Sequence, residues 1–227
     1  MKKNYLLLLF FFISFEIFAE NVELKIILQD GIEYTESFDK DSKSITLVSK
    51  GNFRLKELTD IQGLEQFENL TNFCMYFFQY KGNYSFLKKI KNLKDLGLIR
   101  CGAETLNFLE DLTLLENCEL ELDFAKENQK SIETIDVNLE KLKYIKKITI
   151  NNRMSHIPPF VKVKNKPELL LDTTNIKNLN KKDFKYAKQY SVIKSLNPNP
   201  QWYFEKYYKS CIPNNTPTKP SYMIRLK

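Results

Sequence analysis

The stretch "DIQGLEQFENLTNFCM", residues 60–75, carries an apolar residue at every third position and then at every second one. With Leu64 as origin, the residues at offsets −3, 0, +3, +6, +9 and +11 are all apolar. The same offsets recur, with two polar exceptions in all 30 positions, from four later origins: Leu87, Leu109, Leu139 and Phe160. A hydrophobic content of 43% would give about 13 apolar positions by chance. Successive origins lie 23, 22, 30 and 21 residues apart, which indicates a structural repeat.

Each half of this pattern predicts a different backbone conformation. Positions three apart share one face of a chain that turns about three residues per revolution, as a 3₁₀-helix does. Positions two apart share one side of a β-strand. Each repeat is therefore predicted to form one strand and one short return segment, and no repeat can bury its apolar residues alone. The 30-residue step indicates an insertion at residues 124–135, where we expect a short polar helix.

The segment "DIQGLEQFENLTNF", residues 60–73, resembles the 22-residue leucine-rich repeats of the internalin type, which occur in secreted and surface proteins of bacteria. The resemblance covers residues 58–174. It implies an α/β solenoid, with a parallel β-sheet on the concave face and short 3₁₀ or coil returns on the convex face. The asparagine that this family usually places after each strand is largely missing, because the equivalent positions hold Phe78, Cys101, Asp123, Arg153 and Thr174.

A sixth, degenerate repeat is predicted from Lys181, with apolar residues at offsets +3, +6, +9 and +11: Phe184, Ala187, Tyr190 and Val192. Leucine-rich repeats, five clear and one degenerate, are thus assigned to residues 58–193. Residues 194–227 are expected to form a C-terminal cap and a loose tail.

The N-terminal region contains two predicted segments. Residues 1–19 combine two lysines, an apolar run and a small residue, Ala19, as a secretory signal peptide does. Cleavage after Ala19 would make the protein secreted or periplasmic, and no later stretch is apolar enough to span a membrane. Residues 20–57 are expected to form N-terminal cap strands, namely a hairpin with its turn at Asp30 and Gly31 and a further strand at Ile45 and Leu47.

The composition disfavours several classes of function. Six glycines and one histidine among 227 residues argue against glycine-rich nucleotide loops, multi-histidine metal sites and histidine-based catalytic triads, so we expect no cofactor and no metal. The net charge is +7, and the positive residues are spread along the sequence rather than blocked. This pattern favours solubility over nucleic-acid binding.

The residues between the inward strand positions should project from an open sheet, where they could bind a protein partner. Tyr76 and Ile99 would supply an apolar anchor, and Glu119 with Glu121 would favour a basic partner. Further contacts are predicted on the later repeats: Thr149, Asn151, Leu170 and Asp172.

Other functions are weaker alternatives. The protein could be a passive structural component of the cell envelope, or it could bind carbohydrate through its acidic residues. Glu119 and Glu121 lie about 6.6 Å apart along one strand, a separation that glycoside hydrolases use. An open strand does not provide a pocket that raises one carboxyl pKa, so we expect no enzyme activity. His156, beside Pro158 and Pro159, is expected to be solvent-exposed and not to act in catalysis or metal binding.

Overall fold

The computed structural model describes residues 20–51, 56–80, 82–123, 135–151, 156–172, 181–195, 211–213 and 222–225. Within these ranges the chain is mostly β-strand, with parallel sheets and few helices. The predicted signal peptide, the predicted helix in the insertion and most of the C-terminal tail lie outside the described residues.

A four-stranded sheet lies at the N-terminal end, in the order β2-β1-β4-β6. Its strands are β1 (Asn21–Leu28), β2 (Glu33–Asp39), β4 (Glu57–Gln62) and β6 (Gln79–Tyr80). β1 and β2 form an antiparallel hairpin, as the alternation of apolar residues indicated. Its turn holds Asp30 and Gly31 at positive φ angles of 65° and 70°, a conformation that glycine and aspartate adopt more readily than most residues.

The main sheet has nine strands, in the order β14-β15-β13-β12-β10-β8-β7-β5-β3. They are β3 (Ser44–Val48), β5 (Asn72–Tyr76), β7 (Asp95–Gly102), β8 (Asn117–Asp123), β10 (Lys147–Ile150), β12 (Glu168–Leu171), β13 (Val192–Ser195), β14 (Cys211–Pro213) and β15 (Tyr222–Arg225). All pairs from β3 to β13 are parallel, and β15 and β14 close the far end in antiparallel pairing. β3 contains the strand predicted at Ile45 and Leu47, and it pairs in parallel with β5 at the start of this series.

The strand register reproduces the spacing of the sequence repeat. The residues at offset +9 pair with one another from strand to strand: Phe73 with Leu96, Leu96 with Cys118, Cys118 with Ile148, and Ile148 with Leu169. Together with the residues at offset +11, they point to the core and are at most 3% exposed. Burying each large apolar side chain contributes about 1.5–3 kcal/mol, so this column of side chains stabilises the main sheet.

The segments between the strands form the short returns that the three-residue period predicted. The returns that precede β5, β7 and β8 contain 3₁₀-helices: Leu64–Gln66, Ser85–Lys89 and Asn107–Asp111. At each, a backbone N–H donates to the carbonyl three residues earlier, as from Phe67 to Leu64 at 3.3 Å. The return at Val137–Asn138 (β9) instead pairs in parallel with Phe160–Val161 (β11).

The predicted frame of the sixth repeat is wrong by three residues. Ile193, not Val192, is buried, and it pairs with Leu169 at the +9 position. The origin is therefore Phe184, which lies on a helix, α1 (Lys181–Ala187). The error arose because Tyr190 and Val192 are two apart, as the residues at +9 and +11 are. Tyr190 is indeed buried, but it occupies offset +6.

The two sheets meet at an aromatic cluster, which consists of Tyr80, Tyr84, Phe86 and Phe108. Neighbouring ring centroids in it are 4.5–5.8 Å apart. The Tyr84 hydroxyl donates to the Gly102 carbonyl at 2.5 Å, and the Gly102 N–H donates to the Phe78 carbonyl at 2.8 Å. These bonds attach the end of β7 to the segment that leads into β6, so the N-terminal sheet is packed directly on the first repeats.

Candidate binding surface

An apolar row crosses the exposed face of the main sheet. Val48, Tyr76 and Ile99 occupy the same register position on β3, β5 and β7, and Glu121 continues the row on β8. Val48 is 45% exposed, whereas Tyr76 and Ile99 are half-buried. The alternation of strand residues thus brings three apolar side chains from neighbouring strands to one surface. We call Val48, Tyr76 and Ile99 the apolar row.

A shallow depression with a volume of about 300 Å³ lies beside the apolar row. Its position depends on Gly97, because a Cβ atom there would meet the Cys74 Sγ at 2.5 Å. The absence of a side chain at Gly97 lets the thiol lie across it and leaves space above the sheet. Most of the residues around the depression are polar: Ser44, Asn72, Asp95, Asn117, Glu119, Lys147 and Thr149.

The charged residues at the depression differ in the partners that they contact. Asp95 accepts a hydrogen bond from the Asn117 side-chain amide at 2.6 Å. Glu119 is exposed and has no ion-pair partner among the described residues. Lys147, on the neighbouring strand β10, is also exposed. A cationic group entering the depression would therefore meet Glu119 without having to break an existing ion pair.

The cysteine at the depression is not set up as a nucleophile. Burial raises the pKa of the Cys74 thiol, and the negative charge of Glu119 raises this pKa further. The thiolate is the reactive form of cysteine, so the environment favours the unreactive thiol. Cys74, Cys101 and Cys118 are all free thiols. Cys118 is buried at an inward position of β8, as its place in the repeat predicted.

Glu121 differs from Glu119 because it has a partner that the sequence did not indicate. The Arg100 Nε lies 3.2 Å from the Glu121 Oε1, and the guanidinium group lies 5.6 Å from the centre of the Phe77 ring. Arg100 has a positive φ of 51° where the register of β7 against β8 shifts. This irregularity takes Arg100 out of the strand alternation. Glu121 therefore offers less negative charge to a partner than Glu119 does.

The remaining predicted contact residues lie farther along the sheet and offer less surface. Thr149 pairs in register with Glu119 and lines the depression, but it is buried, as is Asp172. Leu170 is half-buried on β12, and Asn151 is exposed just after β10. The structure therefore brings Tyr76, Ile99, Glu119, Glu121 and Thr149 together, and it places the others beyond them.

His156 contacts a buried carboxylate that the sequence did not indicate. Its Nδ1 lies 3.5 Å from the Asp183 Oδ1, and the Asp183 side chain is only 3% exposed. The His156 side chain is 39% exposed, so it is partly exposed as expected, but it also contacts α1. The two residues are 27 positions apart, so no local motif could have indicated their contact. α1 has a second contact of this kind, because the Tyr186 hydroxyl donates to Asp136.

Among the described residues, no group of three or more histidine, cysteine, aspartate or glutamate residues is arranged to hold a metal ion. No helix there is long and apolar enough to cross a membrane. Comparisons of the chain with protein-family models, with curated proteins and with solved structures gave no match.

Proposed function

We propose that this protein is a secreted or periplasmic leucine-rich-repeat solenoid that binds a partner protein through the exposed face of its main sheet. The proposal rests on the apolar row beside a depression lined by Glu119, which has no ion-pair partner within the described part of the chain. Exposed aromatic and aliphatic side chains are typical of the core of a protein interface, and polar and charged groups are typical of its rim.

The solenoid is supported by the regular alternation of strand and return. Parallel strands recur in register every 21–30 residues from β5 to β12, with 3₁₀ returns after β4, β6 and β7. In repeat proteins each unit buries its apolar side chains only by stacking on its neighbours. Secretion is supported by the basic and apolar composition of residues 1–19.

The partner that fits this surface presents an apolar side chain next to a lysine or arginine. The apolar side chain would pack on Tyr76 and Ile99, and the cation would enter the depression near Glu119. Both halves of the site lie on hydrogen-bonded strands, so little conformational entropy is lost on binding. We propose no catalytic role, because the Cys74 thiol is held protonated and the depression is open.

The proposal is tested by affinity capture from envelope and culture-medium extracts, with residues 20–227 as the bait. One variant carries Tyr76→Ala and Glu119→Lys. A matched control carries Tyr144→Ala and Glu104→Lys, which change the same residue types in exposed connecting segments. We expect a protein that is retained by the wild type and by the control but lost by the first variant. Equal retention by all three folded proteins would contradict binding through this face.

Carbohydrate is a second candidate ligand, favoured by the polar groups around the depression. Asn72, Asp95 and Asn117 present the amide and carboxylate groups that hydrogen-bond to sugar hydroxyls. A glycan array probed with the wild type and with Asn117→Ala separates the two candidates. Glycan binding that Asn117→Ala abolishes would favour carbohydrate. If neither capture nor the array finds a ligand, the alternative of a passive envelope component gains support.

A further inference from the structure

The charge of the chain is divided sharply between its two halves. Residues 20–123 contain 12 lysines and arginines against 19 acidic residues, whereas residues 124–227 contain 21 against 8. Positive residues occur throughout both halves, as expected, but the acidic residues are concentrated in the first half. The division falls at the end of β8. The main sheet thus has an acidic end and a basic end.

The structure places three lysines of the basic half at one repeating position. Lys143, Lys164 and Lys188 each stand four residues before a strand, and those strands, β10, β12 and β13, are neighbours. The strands begin in register, at Lys147, Glu168 and Val192. The side-chain amide of Asn165 donates to the Lys143 carbonyl, which ties two of the turns together. We call Lys143, Lys164 and Lys188 the lysine ladder.

Register sets the spacing of the lysine ladder. Because neighbouring strands lie about 5 Å apart, the three lysines leave the backbone at intervals of about 5 Å. All three are exposed. They belong to the turns that precede the strands, so they lie at the edge of the sheet and not on the face that carries the apolar row.

The surroundings of the lysine ladder are also basic. Between residues 140 and 166 the chain has eight lysines and arginines and one acidic residue, Glu140. Glu140 pairs with both Lys162 and Lys164, at 3.8 and 3.4 Å. Exposed ion pairs of this kind contribute little and can exchange partners. Lys141 and Lys146 also form ion pairs, with Asp111 and Glu116. Lys143, Lys147 and Lys166 have no ion-pair partner among the described residues, so the positive charge of this segment is only partly compensated.

The acidic half shows no such ladder at the same repeating position. The equivalent residues, four before β3, β5, β7 and β8, are Lys40, Glu68, Lys91 and Thr113. Lys40 is paired with Glu20 at 2.7 Å. The charge pattern is therefore a feature of the last three parallel strands and not of the repeat in general.

We propose that the lysine ladder is a binding site for a linear polymer of phosphate groups. A line of evenly spaced cations complements a line of anions, whereas a single small anion would contact only one or two of the lysines. Such binding releases counterions and weakens as salt increases. This site is independent of the proposed partner face, because its residues lie in the turns.

The test measures binding of fluorescently labelled inorganic polyphosphate to residues 20–227 by anisotropy, between 50 and 200 mM salt. The variant carries Lys143→Gln, Lys164→Gln and Lys188→Gln. The matched control carries Lys25→Gln, Lys56→Gln and Lys91→Gln, which remove the same charge from partly or fully exposed positions of the acidic half. We expect the ladder variant to bind at least tenfold more weakly and the control to stay within about twofold. The slope of log K against log salt should fall by about 2 when three contacts are lost.

Several results would overturn the proposal. Equal losses in both variants would mean that net charge alone attracts the polymer. Absence of wild-type binding, or binding to phosphatidylglycerol vesicles without binding to polyphosphate, would also reject it. Tighter binding of a single-stranded oligonucleotide with the same number of phosphates would assign the ladder to nucleic acid instead. If the triple variant does not fold, the three single variants should each give about a third of the logarithmic loss.

Discussion

Gly102 offers a direct test of how the two sheets are joined. A Cβ atom at this position would lie 2.4 Å from the Tyr80 carbonyl oxygen and 2.7 Å from the Tyr80 backbone nitrogen. Both are backbone atoms of a paired strand, so no side-chain rotation can relieve the contact. The substitution Gly102→Ala must therefore separate β6 from the end of β7. Overpacking of this kind lowers the free energy of unfolding by about 1–3 kcal/mol.

The expected consequence is a lower melting temperature. For a chain of this size, each kcal/mol corresponds to about 2–4 °C, so Gly102→Ala should lower Tm by roughly 2–12 °C in thermal unfolding followed by circular dichroism. Gly51→Ala is the matched control, because a Cβ atom at Gly51 meets nothing within 4 Å. It should change stability by less than about 0.5 kcal/mol. If Gly102→Ala melts together with Gly51→Ala, the close packing of β6 on β7 described above is wrong.

Three further predictions concern single side chains. Gly97→Ala should displace the Cys74 thiol and lower the free energy of unfolding measured in urea. Adding Cys74→Ala should restore most of that free energy. No recovery would mean that the new methyl group does not contact the thiol. Tyr84→Phe should lower the free energy of unfolding by about 1–3 kcal/mol, because the buried Gly102 carbonyl loses its hydrogen-bond donor. An unchanged denaturation midpoint would argue against this hydrogen bond. Burial raises the pKa of Tyr34 from 10 in the unfolded chain to about 12 in the folded protein. The folded state therefore favours the neutral phenol. The stability that this preference contributes is present below pH 10 and is lost as pH rises towards 12. Tyr34→Phe should therefore reduce the loss of stability over that interval, and an equal alkaline loss in both proteins would refute the assignment.

The parallel strands and their returns were predictable because each is encoded locally. Apolar residues three apart and then two apart fix where a return ends and a strand begins, as at Leu64 and Phe73. The same reasoning failed where two frames fit equally well. At the sixth repeat, Tyr190 and Val192 imitate the spacing of an inward strand pair, and only pairing with β12 shows that Ile193 is the buried residue.

The candidate surface was predictable only in outline. Alternation along the strands indicated that Tyr76, Ile99 and Glu119 share a face, because side chains alternate in any strand. The depression depends on a missing side chain at Gly97 and on the neighbour that occupies its place. The ion pair of Glu121 depends on Arg100, whose side chain departs from the strand alternation because the β7–β8 register shifts there. Neither effect has a signature in the spacing of residues.

The aromatic cluster between the sheets sets how unfolding should spread through the molecule. Each parallel strand contacts mainly the strands before and after it, so in most of the array cooperativity passes only from neighbour to neighbour. At Tyr80, Tyr84 and Phe108 the N-terminal sheet and two successive returns interlock. We expect that end to be the most cooperative unit, and local opening to begin at the opposite end of the main sheet, where β15 and β14 lie beyond β13, and to stop where the rings meet.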